Sequence, residues 1–301
     1  MSEIIKSIAG IFADEKTACG EAPLWDAKRQ RLLWVDNERA LVFARGCNDS
    51  ATTVLHRDYP AFALALNDDG RLVMAGPRGV ALRSNDGAVS VVLENSEGGD
   101  CFFNDAVASP VGGLYAGSFH WDEKGIQRTG RLYHVSASGE AQIMDEGFQL
   151  SNGLAVSPDN RTLYFADTIA RTIYAYEIAV DGRLANRRVF ARVSREDGLP
   201  DGLTVDAAGF VWCALWYGGQ VIRFDHAGRI ERRITLPAKQ VSSLTFGGPE
   251  MTELFVTTAA NHWPSDYQPA ELNPQDPMGG AVYRLRLDVA GKPEHHCRFM
   301  Q

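Results

Sequence analysis

Six positions in the chain share one spacing, and four of them are good oxygen donors. Glu21, Phe62, Asn104, Asn152, Asp201 and Ser242 each stand five residues ahead of an equivalent point in a repeated unit, at Asp26, Asn67, Ser109, Ser157, Asp206 and Gly247. Two carboxylates and two carboxamides in one register are expensive to bury unless something offsets the charge, and a divalent cation is the simplest compensation. Glu21, Asn104, Asn152 and Asp201 offer hard oxygens, with no His or Cys among them. By ligand type this suits Ca²⁺, Mg²⁺ or Mn²⁺ better than a soft-metal site, with Zn²⁺ as a replacement. Three protein ligands would leave coordination positions open to water or substrate, as a catalytic centre needs. A turn reading competes, because Asn152-Gly153 and Asp201-Gly202 are strong turn dipeptides and Asn104-Asp105 can also turn. Against it, Glu21 is no turn former, yet it falls in the same register.

The elements that must position these residues are short strands. A two-strand unit of apolar alternation around an Asp, Pro, Gly or Asn turn occurs six times: "APLWDAKRQRLLWVD", "ALALNDDGRLVMAG", "AVASPVGGLYAGS", "GLAVSPDNRTLYFAD", "GLTVDAAGFVWCAL" and "SLTFGGPEMTELFVTT". A third strand follows each copy, often with a fourth behind a Gly-containing turn, as in "GVALRSNDGAVSVVL". A period of roughly 40 to 50 residues with four strands per repeat is the signature of a β-propeller. The expected fold is therefore all-β: a six-bladed propeller, four antiparallel strands per blade, filling residues 1–301 as a single domain around a metal-containing central channel. The first strand of each blade lines that channel, so the six equivalent positions should form a ring at one end of it. The early run "IIKSIAGIFA" is expected to pair with the last blade and close the circle.

Composition narrows the partners. At 45% hydrophobic and 23% charged residues the 301-residue chain is that of a soluble globular protein, with 29 Gly and 13 Pro spread throughout. A formal charge of −8 argues against non-specific binding to nucleic acid or anionic membrane, both of which need a basic face. No segment approaches the roughly 20 apolar residues of a membrane span. The five cysteines are odd in number and far apart, which reads as a reduced, cytoplasmic thiol set. The seven histidines show no metal-ligand spacing, and nothing points to an obligate protein partner.

The stretches "GEAPLWD", "FNDAVASPVGGLYAGS", "SNGLAVSPDNRTLYFAD", "PDGLTVDAAGFVWCALWYGGQVIRFD" and "FVTTA" resemble the regucalcin (senescence marker protein) and gluconolactonase family over essentially the whole chain. The resemblance implies a six-bladed propeller with one divalent metal in its channel, Ca²⁺ first among the candidates. It implies that Glu21 of "GEAP", Asn152 of "NGL" and Asp201 of "DGL" are the metal ligands. The family's "FND" Asn, here Asn104, helps to bind substrate, and its "DGL" Asp, here Asp201, is the proposed general base in hydrolysis of sugar-acid lactones. One departure stands out: members resembling regucalcin carry an Arg two residues before that Asn, where this chain has Phe102. Replacing a five-donor cation with an apolar ring weakens recognition of a hydroxyl-rich or acidic substrate.

The expected activity is thus metal-dependent opening of an aldonolactone, a small-molecule substrate held by Asn104, Phe102 and Asp122. Two alternatives stay open: phosphotriester hydrolysis at the same metal, and a non-catalytic calcium-binding regulatory propeller. Phe62, Phe102, Phe119 and Trp121 form an apolar wall or belong to the core. Asp105 either fixes Asn104 or is a turn acid. The segments 120–130 and 261–280 are loops that could shape access, the second long enough for a lid.

Overall fold

Each repeat folds because period-2 apolar alternation gives a strand two usable faces, and every blade buries both against its neighbours. The computed structural model describes residues 3–4, 9–96, 99–122, 125–261, 272–273 and 275–300; for 3, 4, 121, 122 and 125–127 only the backbone is considered. Six antiparallel sheets stand in a ring, each with four blade strands. Their inner strands are Gly20–Asp26, Ala63–Asn67, Phe103–Ala108, Ser151–Val156, Leu199–Val205 and Val241–Gly247. Each inner strand packs against the next, and that of blade 6 against that of blade 1, so the circle is closed.

The fourth strand of blade 6 is Gly10–Ala13, which pairs antiparallel with Val282–Arg286 as expected of the early apolar run. A separate apolar core fills each of the six gaps between blades. Trp212, Leu244 and Tyr283 pack between blades 5 and 6, and Phe12, Trp25 and Phe255 between blades 6 and 1. Trp34 and Trp212 are fully buried, and truncating either to Ala costs about 3–5 kcal/mol.

Two details of the inner strands decide where the site lies. The first is a run of β-bulges. The pairing register slips between Glu21 and Leu24, Phe103 and Asp105, Ser151 and Leu154, Pro200 and Leu203, and Val241 and Ser243. In five blades the irregularity therefore falls at the ring position, and a bulge re-aims the side chain it carries. Blade 2 is the exception, with regular pairing over Ala63–Leu66 and Phe62 just ahead of the strand.

The second detail is a strap across the opposite end of the ring. His296–Cys297 forms a parallel strand against the inner strand of blade 2. Around it, Gly291 bridges Asp206 of blade 5 and bonds Met251 of blade 6. His295 meets Asn160 of blade 4 at 2.8 Å, and Arg298 donates its N–H to Gly112 of blade 3 at 2.6 Å. Nothing in the sequence pattern announced this segment as a channel plug. Among the described residues no helix is long and apolar enough to cross a membrane, and all five cysteines are unpaired.

Candidate functional site

The Asn-Gly and Asp-Gly pairs are not turns. Asn152 and Gly153 lie within the inner strand of blade 4, and Asp201 and Gly202 within that of blade 5. The glycines serve close approach of neighbouring blades: a Cβ at Gly153 would collide with the Asp201 carbonyl, and one at Gly202 would lie 2.6 Å from the Ser243 Cα. Neither needs a left-handed backbone. Glycine at these points lets blades 4, 5 and 6 come together, which draws Asn152 and Asp201 into one cluster.

That cluster is rich in buried acids. Asp201 is 4% exposed, and its Oδ1 has no hydrogen-bond partner among the described residues. Burial pushes its proton affinity well above the usual carboxylate range, with the charges of Glu21 and Asp105 adding to the effect and the Asn152 side chain opposing it. Glu21 is pushed up to about 8, by burial first and then by Asp105, against the hydrogen bond it accepts from the Ala22 N–H at 3.3 Å. Asp105 rises to about 7 through burial, although its Oδ1 accepts the Ala106 N–H at 2.7 Å. Even the buried Cys19 thiol is raised, by burial and then by Glu21, Asp201, Glu38 and Asp36. Among the described residues no three Asp, Glu, His or Cys side chains stand close enough to share one ion, but two buried carboxylates and a carboxamide with an orphaned oxygen suit a divalent cation by their chemistry, and its charge would hold the acids ionised. Glu21, Asn152 and Asp201 offer the hard oxygens for it, and Asp105 stands close enough to contribute charge.

Asn104 lies beside this cluster. Its Nδ2 donates to the Ser151 carbonyl at 2.9 Å, tying blade 3 to blade 4 at the level of the ring. Phe62, Phe102 and Phe119 come together as the apolar wall, with centroids 5.9 Å apart for the first pair and 5.1 Å for the second. Behind the ring the channel encloses about 60 Å³, lined by Asp105, Thr204, Ser243, Glu294 and His295 among others. The strap bounds it on the far side.

The chain matches the family described as SMP-30/Gluconolactonase/LRE-like region over residues 19–260. It belongs to that family. Within it, the chain is 32% identical over 285 residues to pentonolactonase of Haloferax volcanii, covering 92% of this chain and 94% of the relative. It is 29% identical over 297 residues to 6-deoxy-6-sulfogluconolactonase of Pseudomonas putida, covering 98% of each. The crystal structure of the calcium-binding protein regucalcin from Agrobacterium tumefaciens superposes with a TM-score of 0.88 at 26% identity, over 99% of this chain and 100% of that one.

Of the residues singled out from sequence, Glu21, Asn104, Asn152, Asp201 and Phe102 converge at one end of the channel. Asp122 and Trp121 lie on a short strand, His120–Asp122, whose pairing with Gly125–Arg128 turns the 120–130 segment into a hairpin. The side chains of both are outside the described residues, as are 262–271 and 274 of the second loop. Asp105, equally compatible in sequence with fixing Asn104 or with a turn, lies buried in the inner strand of blade 3, where its charge acts on Glu21 and Asp201. Its only signal was adjacency to Asn104, and the bulge that turns both toward the channel has no sequence marker.

Proposed function

We propose that this protein is a divalent-metal-dependent hydrolase that opens the ring of a sugar-acid lactone. The observation that carries the reading is the buried, unpartnered Asp201 Oδ1 beside Glu21 and Asn152, a donor set that fits a hard cation. The lactonase relatives support the reaction class, and the calcium-binding regucalcin neighbour supports Ca²⁺ as the ion, held by Glu21, Asn152 and Asp201. When bound there, such an ion supplies Lewis acidity toward an ester carbonyl. Asn104 orients the lactone with the amide hydrogen that its bond to Ser151 leaves over. Asp201 takes a proton from the attacking water as the water oxygen bonds to the carbonyl carbon. The ring C–O bond then breaks, and the ring oxygen leaves as a hydroxyl after receiving a proton. The substrate is a small molecule that enters at the ring end, because the strap closes the other.

A panel of aldonolactones and one phosphotriester, assayed after chelation and again with Ca²⁺, Mg²⁺, Mn²⁺ or Zn²⁺ restored, tests this. Lactone turnover that returns with metal is expected. Turnover of no lactone would overturn the proposal; turnover of the phosphotriester alone would favour the second esterase reading, which the aromatic wall suits. Calcium binding with no ester hydrolysed would favour a non-catalytic role.

A further inference from the structure

One sector of the ring has no oxygen in it. Phe62 holds in blade 2 the register that Glu21, Asn152 and Asp201 hold in theirs, and its ring meets Phe102 edge-to-face. Phe102 meets Phe119 in the same manner, and the Phe119 N–H bonds the Phe102 carbonyl at 3.3 Å, so the blade 3 backbone fixes these two rings side by side. All three are half-buried, packed on one another yet still accessible. The lip of blade 3 is thus built as a continuous aromatic surface beside Asn104.

Two described cations of that sector are committed elsewhere. Arg128 pairs with Asp100 at 2.6 Å, and Arg131 pairs with both Asp100 and Glu146. His120, next to Phe119, is held toward its neutral form by burial and then by the charge of Arg128. Among the described residues, a carboxylate, sulfonate or phosphate on a substrate would find no uncommitted countercharge beside Phe102, and a hydroxyl against the rings would lose water without gaining a partner.

We infer that Phe62, Phe102 and Phe119 set the substrate class: an uncharged lactone that turns a deoxygenated carbon, a methyl or a larger apolar substituent toward blades 2 and 3. The inference rests on the lactonase reading of the same site and narrows it. The 6-deoxy-6-sulfogluconolactonase relative is named for a substrate that carries an anionic sulfonate, a group this wall would not receive. A hydrophobic pocket discriminates a single methylene or hydroxyl by roughly 10- to 200-fold, which sets the size of the effect to look for.

The test is kcat/KM, with Ca²⁺ present, for matched aldonolactone pairs deoxygenated at C2, C3 or C6, L-fucono- against L-galactono-1,4-lactone being a C6 pair. In at least one pair the deoxy member is expected to lead by about tenfold or more. Phe102→Arg should erase that lead while Phe102→Leu keeps it. If lactones are hydrolysed with no preference in any pair, the wall has no selective role and this inference falls while the lactonase reading stands. If no lactone is hydrolysed, the lactonase reading falls. The wall is then judged by calorimetric titration of 1,4-anhydro-L-fucitol against 1,4-anhydro-L-galactitol, cyclic ethers that need no turnover. Tighter binding of the deoxy ether supports the wall, and equal or reversed affinity overturns it.

Discussion

The inner strand of blade 5 has a buried aspartate near its start and another just past its end, and the two are treated in opposite ways. Asp206, fully buried, has every lone pair engaged. Its Oδ1 accepts the N–H groups of Ala208 and Phe210 at 3.0 Å each, and its Oδ2 accepts Trp212 Nε1 at 2.9 Å and Arg223 Nε at 2.8 Å. Arg223 in turn lies 3.9 Å over the Phe210 ring. Asp201, five residues earlier and nearly as buried, leaves Oδ1 without a hydrogen-bond partner among the described residues. Folding satisfies buried polar groups wherever it can. The contrast teaches that Asp206 is spent on the architecture, whereas Asp201 keeps an oxygen unsatisfied, as the proposed metal site requires.

The largest effect that separates the two is on turnover. Asp201→Asn should lower kcat/KM on the best lactone by about a thousandfold, the scale of a lost general base, while circular dichroism and melting stay near wild type. Full activity in that variant would mean the two aspartates do not divide the work in this way. Asp206→Ala should do the reverse. Removing the fully buried carboxylate leaves Arg223 only the half-buried Glu231 and costs about 3–5 kcal/mol of stability by denaturant titration, with kcat of the folded fraction unchanged.

The smallest effect concerns pH. Glu21 and Asp105, raised to about 8 and about 7, hold protons in the folded metal-free chain that the unfolded chain releases from about pH 4 upward. The folded state then binds more protons, so stability is greatest at the acid end of that window and falls as pH rises toward 8. Chelated protein should lose several degrees of melting temperature between about pH 5 and pH 8, and saturating Ca²⁺ should flatten the slope. A flat profile without metal would mean that the acids do not crowd one another.

The propeller itself was legible because its signals are local. Alternation within strands recurs six times, with Asp, Asn or Ser at five of the hairpin entries and Gly247 at the sixth, and at Asp206 the turn reading proved right in full, with the side chain capping its own turn. The same dipeptide logic misled at Asn152-Gly153 and Asp201-Gly202. There the glycine answers a contact with the next blade, about 50 residues away in sequence, which no short window reports. Glu21 broke the turn reading because no turn preference explains it. Asp105 stayed ambiguous for the complementary reason: an acid after Asn suits a turn as well as a channel, and only a bulge distinguishes them. The strap was invisible, since two residues of parallel strand leave no periodicity to read.

Closing blade 6 with Gly10–Ala13 also bears on how the chain reaches this state. Gly10 must find Arg284, and the Thr17 N–H must find the Gly280 carbonyl, so the ring shuts through contacts of very long sequence separation. Such contacts form slowly, and they are out of reach during synthesis until the last blade has left the ribosome. From its emergence until Gly10–Ala13 pairs with it, Val282–Arg286 offers an unpaired edge to any other strand nearby. The interval between making blade 6 and closing it is therefore when a nascent chain is most open to pairing with the wrong molecule.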